Sequence, residues 1–127
     1  MSVNLLKSIC EKEGSLFPIE FKDLNFIPKR IFYITNVPRL ETRGKHAHYT
    51  TKQYIICVAG LINVRTHDGI SWTEKLLQPG YSLLIPELIW DEQTYLTGND
   101  ILLSICSTEY NKNDYITDFD NFKRGNI

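Results

Sequence analysis

Short apolar runs separated by turn residues recur along the whole chain, the rhythm of an all-β sandwich or barrel. Leu16 to Phe21 follows the turn at Glu13-Gly14-Ser15, and Arg30 to Val37 (RIFYITNV) is aromatic and β-branched until Pro38. Gln53 to Val58 (QYIICV) turns at Ala59-Gly60 into Leu61 to Arg65, which predicts a hairpin. A turn at His67-Asp68-Gly69 leads into Ile70 to Leu77, Pro79-Gly80 introduces Tyr81 to Ile85, and Asn99-Asp100 precedes Ile101 to Ser107. QYIICV is apolar on both faces and is expected to be a central strand covered on both sides. Lys112 to Lys123 alone has the polarity and apolar spacing of a short helix. No repeat, linker or low-complexity segment interrupts 1–127, so one domain is expected.

At 127 residues such a domain can bury a core without disulfides. A formal net charge of -1 gives no reason to expect a nucleic-acid partner. Cys10, Cys57 and Cys106 are odd in number and lack a CxxC spacing, which fits buried thiols in a reduced cytoplasm. The N-terminal segment has no uninterrupted apolar h-region, and nothing is long enough to span a bilayer, so a cytoplasmic location and no membrane partner are expected.

Candidate chemistry concentrates in Arg43-Gly44-Lys45-His46-Ala47-His48. Residues i and i+2 of a strand share a face, so both imidazoles can look into one cavity. Around them, Lys29, Arg30, Arg39, Arg43 and Lys45 stand against the single acid Glu41, a charge balance suited to a phosphate group. His67, in a Thr-His-Asp-Gly turn, reads as solvated; Trp72 and Trp90 read as packing residues. Asp114, Asp118 and Asp120 read as caps or solvated helix charges.

The spacings resemble the two-part cupin signature. Four residues separate His48 from Gln53 and six more precede Gly60; Gly80 is followed by five residues, Pro86, and four more before Asp91. Gln53 stands where cupins usually carry Glu, and Asp91 where they carry His. The resemblance implies a double-stranded β-helix jelly roll with a short C-terminal helix. Nearly the whole chain is similar to the sugar 3,4-ketoisomerases of dTDP-deoxyhexose biosynthesis, the WxcM-like C-terminal type. The stretches that carry this are Glu13-Gly14-Ser15-Leu16, Arg30 to Ile34, Arg43 to His48, Pro86 with Trp90, and Ser107, Tyr110, Asp114-Tyr115-Ile116, Asp118, Asp120 and Phe122.

That resemblance implies an isomerase that moves the ketone of a nucleotide-linked 4-keto-6-deoxyhexose from C4 to C3, in deoxyamino-sugar biosynthesis for surface polysaccharide. It implies a homodimer that uses no cofactor and no metal, with a dTDP-linked sugar as its ligand. His46, His48 and Tyr33 then fall on catalytic positions, and Arg43, Arg30, Lys45, Tyr49 and Gln53 on substrate or nucleotide contacts. The chemistry agrees: an imidazole with pKa near ~6.5 can take and return protons near neutral pH. An enediolate oxyanion wants donors in place, which Tyr33 or Arg43 can supply.

Glu13 and Asp91 depart from the family's pattern and are expected to set specificity. A carboxylate about 4 Å from an imidazole, at an effective dielectric near 20, favours the cation by ~4 kcal/mol, roughly three pKa units. A histidine beside Asp91 would then be charged and unable to act as the initial base. Two alternatives stand beside the isomerase. One is a metal-dependent cupin using His46, His48 and Asp91, with Gln53 as a weak fourth ligand. The other is a sugar-nucleotide binding domain without catalysis. The run Val3 to Ile9 is expected to cover a sheet edge.

Overall fold

A computed structural model describes residues 3–9 and 13–125, and leaves Cys10 outside the described residues. Ten strands form two antiparallel five-stranded sheets. They are β1 (Val3–Leu5), β2 (Arg30–Ile34), β3 (Thr42–His48), β4 (Gln53–Ala59), β5 (Ile62–His67), β6 (Trp72–Leu77), β7 (Tyr81–Ile85), β8 (Trp90–Tyr95), β9 (Ile101–Cys106) and β10 (Tyr115–Ile116). One sheet has the order β1-β7-β4-β9-β2 and the other β10-β3-β8-β5-β6. This is the jelly-roll sandwich expected of the cupin pattern, with a short helix, α1 (Phe119–Arg124), at the C-terminus.

The inward faces of both sheets meet in one core of Ile55, Cys57, Ile62, Val64, Leu77, Leu83, Ile85, Tyr95 and Leu102. β4 is central, between β7 and β9, and Ile56 on its outer side is buried too, although Val58 is exposed. Cys57 and Cys106 are buried free thiols. A second, smaller cluster joins Ala47, Trp90, Ile116 and Phe122 and seats α1 on the outside of the β3/β8 sheet. Asp118 caps that helix by accepting from the Asn121 N–H at 3.0 Å, and Gly125, at φ 77°, ends it.

Several expectations change. β4 and β5 do not pair: the turn at Gly60 carries the chain from one sheet to the other, and the hairpin of this region is β5 with β6. Leu16 to Phe21 is not a strand; Leu16 makes one isolated bridge to Ile9, and a 3₁₀ turn follows at Phe21–Asp23. The expected helix over Lys112 to Lys123 resolves into a 3₁₀ turn (Lys112–Asp114), β10 and α1. β8 was not anticipated, because its inward residues Asp91 and Gln93 are polar. His67 is buried rather than solvated, its Nδ1 accepting from the Gly69 N–H and its ring edge-on to Trp72 and Phe119. Trp90 is buried beneath α1 as a packing residue, and Trp72 stacks on Phe119 with the Arg65 guanidinium 3.9 Å above its ring. β1 pairs with the edge of β7, so the start of the Val3 to Ile9 run does cover an edge.

Candidate active site

A cavity of about 440 Å³ opens between the two sheets. Its floor is apolar, with Ile34, Ile55 and Leu102, and its walls carry Arg30, Arg43, His46, Gln53, Gln93 and Tyr115. The arrangement depends on a bulge in β3. Arg43 pairs with Gln93 and Gly44 with Glu92, but the next partner, Asp91, belongs to His46; Lys45 is the extra residue. Without it, Arg43 and His46, three apart on a strand, would face opposite ways. Gly44 and Lys45 both take positive φ, 85° and 61°, to make the kink. A Cβ on Gly44 would lie 2.8 Å from Asp91 Oδ1, so only glycine fits there.

Beyond the bulge, His46 and His48 resume the two-residue period with ring centroids 4.8 Å apart. Tyr115 packs against both, at 5.0 Å from His46 and 4.5 Å from His48, because β10 pairs with β3 in the register Tyr115 to His48. Burial holds the His46 imidazole below its ordinary proton affinity, partly offset by a hydrogen bond to the Gly44 backbone. His48 is pushed down to about 4, by burial first and then by facing His46; Asp114 pulls it back up and Arg30 lowers it further. His48 Nε2 is buried and finds no hydrogen-bond partner among the described residues. Both imidazoles are therefore neutral bases at pH 7, contrary to the expectation that a nearby carboxylate would charge one of them.

Burial accounts for that reversal, and the Asp91 carboxyl is itself shifted by it. Asp91 is 1% exposed, and burial pushes its carboxyl up to about 7 despite a hydrogen bond from Gln93 Nε2 at 3.1 Å. The Tyr95 hydroxyl donates in turn to Gln93 Oε1, closing a polar chain along the inner face of β8. Among the described residues, no group of three His, Cys, Asp or Glu side chains is placed to hold a metal ion, so His46, His48 and Asp91 do not come together as a ligand triad.

The guanidinium of Arg30 lies 5.6 Å from the centroids of both Phe32 and Tyr110, and its Nε is buried without a hydrogen-bond partner among the described residues. Among the described residues the ion pairs are Lys52–Glu87 and Arg65–Glu92, so Arg30 and Arg43 present their charge to the cavity uncompensated. Gln53 lines the cavity as expected and donates weakly to Cys106 Sγ.

Other expected site residues lie elsewhere. Tyr33 is 69% exposed on the outer face of β2, since Arg30, Phe32 and Ile34 take the inner one; its assignment to the reacting centre is corrected for this chain's own cavity. Lys45, thrown outward by the bulge, and Tyr49 and Glu13, both exposed, do not line it either. Residues not assigned a role from sequence include Phe32, Gln93, Tyr110 and Tyr115, all in the cavity wall. Asp114 is buried rather than solvated, accepting from Thr50 N–H, Thr50 Oγ1 and Thr51 Oγ1. The Tyr-x(4)-Tyr pair 110 and 115, flanking the polar stretch 111–114, is the available signal.

A cupin jelly roll whose cavity is lined by His46, with the buried His48 ring packed against it, and by arginines without an ion-pair partner among the described residues has the chemistry of a small-molecule site for an anionic ligand. Comparisons with known proteins sharpen this. Residues 1–126 match the family described as FdtA: WxcM-like, C-terminal. The chain is 33% identical over 120 residues to the TDP-4-oxo-6-deoxy-alpha-D-glucose-3,4-oxoisomerase of Aneurinibacillus thermoaerophilus, covering 93% of this chain and 86% of that protein. The structure of QdtA, a sugar 3,4-ketoisomerase from Thermoanaerobacterium thermosaccharolyticum in complex with TDP, superposes with a TM-score of 0.91 at 33% identity, over 98% of this chain and 92% of that one. A 3,4-ketoisomerase from Helicobacter canadensis gives 0.91 at 31% identity, over 98% and 95%. The chain belongs to this family of sugar 3,4-ketoisomerases.

Proposed function

We propose that the chain converts TDP-4-keto-6-deoxyglucose to its 3-keto isomer through an enediolate, with His46 and His48 as the proton-transfer pair. The observation that carries this reading is His46 lining a cavity whose fixed charges are positive, with the buried His48 imidazole 4.8 Å from it. The C4 carbonyl acidifies the C3 hydrogen. A neutral imidazole takes that proton, the C–H electrons move into the enediolate, and a proton returns to C4 while the hydroxyl proton passes between the two oxygens. Two proton carriers serve the two carbons and the two oxygens better than one. Arg30 and Arg43 supply positive charge for the enediolate and for the diphosphate, and Gln53 can donate to a sugar hydroxyl. The relatives' names support the TDP-linked substrate: the Aneurinibacillus protein is named for that sugar, and the Thermoanaerobacterium structure holds TDP.

Asp91, buried behind the cavity-lining Gly44 and Gln93 with its carboxyl raised to about 7, is proposed to favour one face for proton delivery to C4 and so one product stereoisomer. The working form is proposed to be a homodimer in the cytoplasm. Ile31 and Tyr33 on β2 and Val58 on β4 leave the outer face of their sheet apolar and exposed, which supports burial against a second copy. A monomer by light scattering at micromolar concentration would count against that.

The reaction is tested by incubating the protein with TDP-4-keto-6-deoxyglucose in deuterated water and following the sugar by NMR. Deuterium at the hexose ring carbons and a new 3-keto product are expected. His46→Asn and His48→Asn should each slow turnover by ~10²–10⁴-fold while TDP affinity is retained. Wild-type rates in both variants would remove the proton-transfer assignment.

A further inference from the structure

Asp114 takes no part in the chemistry above, yet the chain invests several contacts in holding it. It sits two residues before Ile116, at the end of the 3₁₀ turn that leads into β10. Its Oδ1 accepts from the Thr50 N–H at 2.9 Å and from Thr50 Oγ1 at 2.7 Å, while Oδ2 accepts from Thr51 Oγ1 at 2.5 Å. Its own carbonyl accepts from the Tyr49 N–H at 3.0 Å. These partners, residues 49–51, follow His48 directly in the chain, and the next residue, Tyr115, pairs with His48 and lays its ring 4.5 Å from the imidazole. The carboxylate is thus pinned from three sides next to the more buried histidine of the pair.

We propose that Asp114 is a positioning residue for His48: an anchored counter-charge that sets the charge balance around the imidazole and stabilises the imidazolium formed when it accepts a proton from the sugar. The proposal rests on the ketoisomerase reading for its catalytic half, but its electrostatic half stands without it. The groups that face His48 are His46 on β3, Tyr115 on β10, Arg30 on β2 and Asp114. Two of the charged or titratable ones, His46 and Arg30, oppose a cation there, and Asp114 is the one whose charge favours it. Burial works against the charge, but the hydrogen bonds from Thr51 and Thr50 outweigh it and hold the Asp114 carboxyl below its ordinary value, so the favourable charge is present near neutral pH. Without it, a proton arriving at His48 would meet burial, a second imidazole and a guanidinium.

The test compares the unaltered full chain with Asp114→Asn and Asp114→Glu. The first readout needs no substrate: ¹⁵N NMR of the histidine rings. With its pKa at about 4, roughly half of His48 is protonated at pH 4. A counter-charge at close range is worth about one pH unit or more, so Asp114→Asn should reduce that to about a tenth or less, and Asp114→Glu should restore most of it. The tautomer balance at pH 7.5 gives the same comparison if acid unfolds the chain: one dominant His48 tautomer is expected in the unaltered protein and a mixture in Asp114→Asn. The second readout is hydrogen exchange at C3 of TDP-4-keto-6-deoxyglucose. Asp114→Asn should slow it by about tenfold with TDP affinity unchanged, and Asp114→Glu should recover most of the rate. If Asp114→Asn does not fold, Asp114→Ser keeps an acceptor for the Thr50 amide without the charge and serves in its place. Identical His48 protonation and tautomers with and without the carboxylate overturn the proposal. An unaltered chain that exchanges no sugar hydrogen overturns the ketoisomerase reading instead, and leaves the NMR comparison intact.

Discussion

Replacing Asp91 by Asn should change how stability depends on pH. In the folded chain burial raises the Asp91 carboxyl from its ordinary 3.8 to about 7. Between those values the unfolded chain releases the proton and the folded chain keeps it, so the unfolded state is favoured as pH rises. Stability from this group is fully present below pH 3.8 and is lost by the time the pH has passed 7. A gap of about three pH units at 1.36 kcal/mol each amounts to about 4 kcal/mol. Asn keeps the shape and an oxygen to accept the bond from Gln93 Nε2, but carries no proton to lose. Other carboxylates titrate in the opposite sense, Asp100 and Asp114 among them, and they cancel when the two proteins are compared at each pH. The assay is urea unfolding of both proteins from pH 4 to pH 8, with linear extrapolation. The Asn variant should gain on the unaltered chain as pH rises, by about 4 kcal/mol over the range. Parallel curves would refute the claim that burial raises the Asp91 carboxyl to about 7.

Arg43→Ala should weaken TDP binding and turnover together, because a phosphate or oxyanion contact acts in the ground state and the transition state alike; isothermal titration beside steady-state rates separates the two, and a pure kcat loss would contradict it. Gly44→Ala should cost about 1–3 kcal/mol in thermal unfolding, through its left-handed φ and the close approach to Asp91, and should flatten the bulge so that turnover falls as well. Asp91→His should alter the product ratio seen by NMR rather than abolish the reaction; an unchanged ratio in a folded variant would remove Asp91 from specificity.

The parts of the site that were legible in sequence are those that depend on local period alone. His46 and His48 share a face in any strand, and the turn residues mark most of the strands. What escaped needed knowledge of the partner. The bulge at Gly44-Lys45 exists because β8 offers Asp91 opposite His46, and nothing in RGKHAH announces it. β8 itself looks like a loop because it turns Asp91 and Gln93 inward, the reverse of the pattern that marks a half-buried strand. Tyr33 shows the cost of setting a resemblance above the period: with Arg30 facing the cavity, a residue three places along the same strand faces away from it. Asp114 looked like an ordinary polar residue near a helix, since its donors lie more than sixty positions away, on Thr50 and Thr51.

The pairing of distant strands also governs when the protein can become an enzyme. β2 pairs with β9, β3 with β8 and then β10, and the turn at Gly60 prevents β4 and β5 from zipping together as they emerge. The local β5–β6 hairpin is available early, whereas each wall of the cavity waits for a loop of many tens of residues to close. Tyr115, the ring that touches both histidines, follows His48 by more than sixty residues. During synthesis the site therefore stays open until Tyr115 has left the ribosome. A chain truncated before Asp114 would retain both imidazoles and lose the strand that holds them.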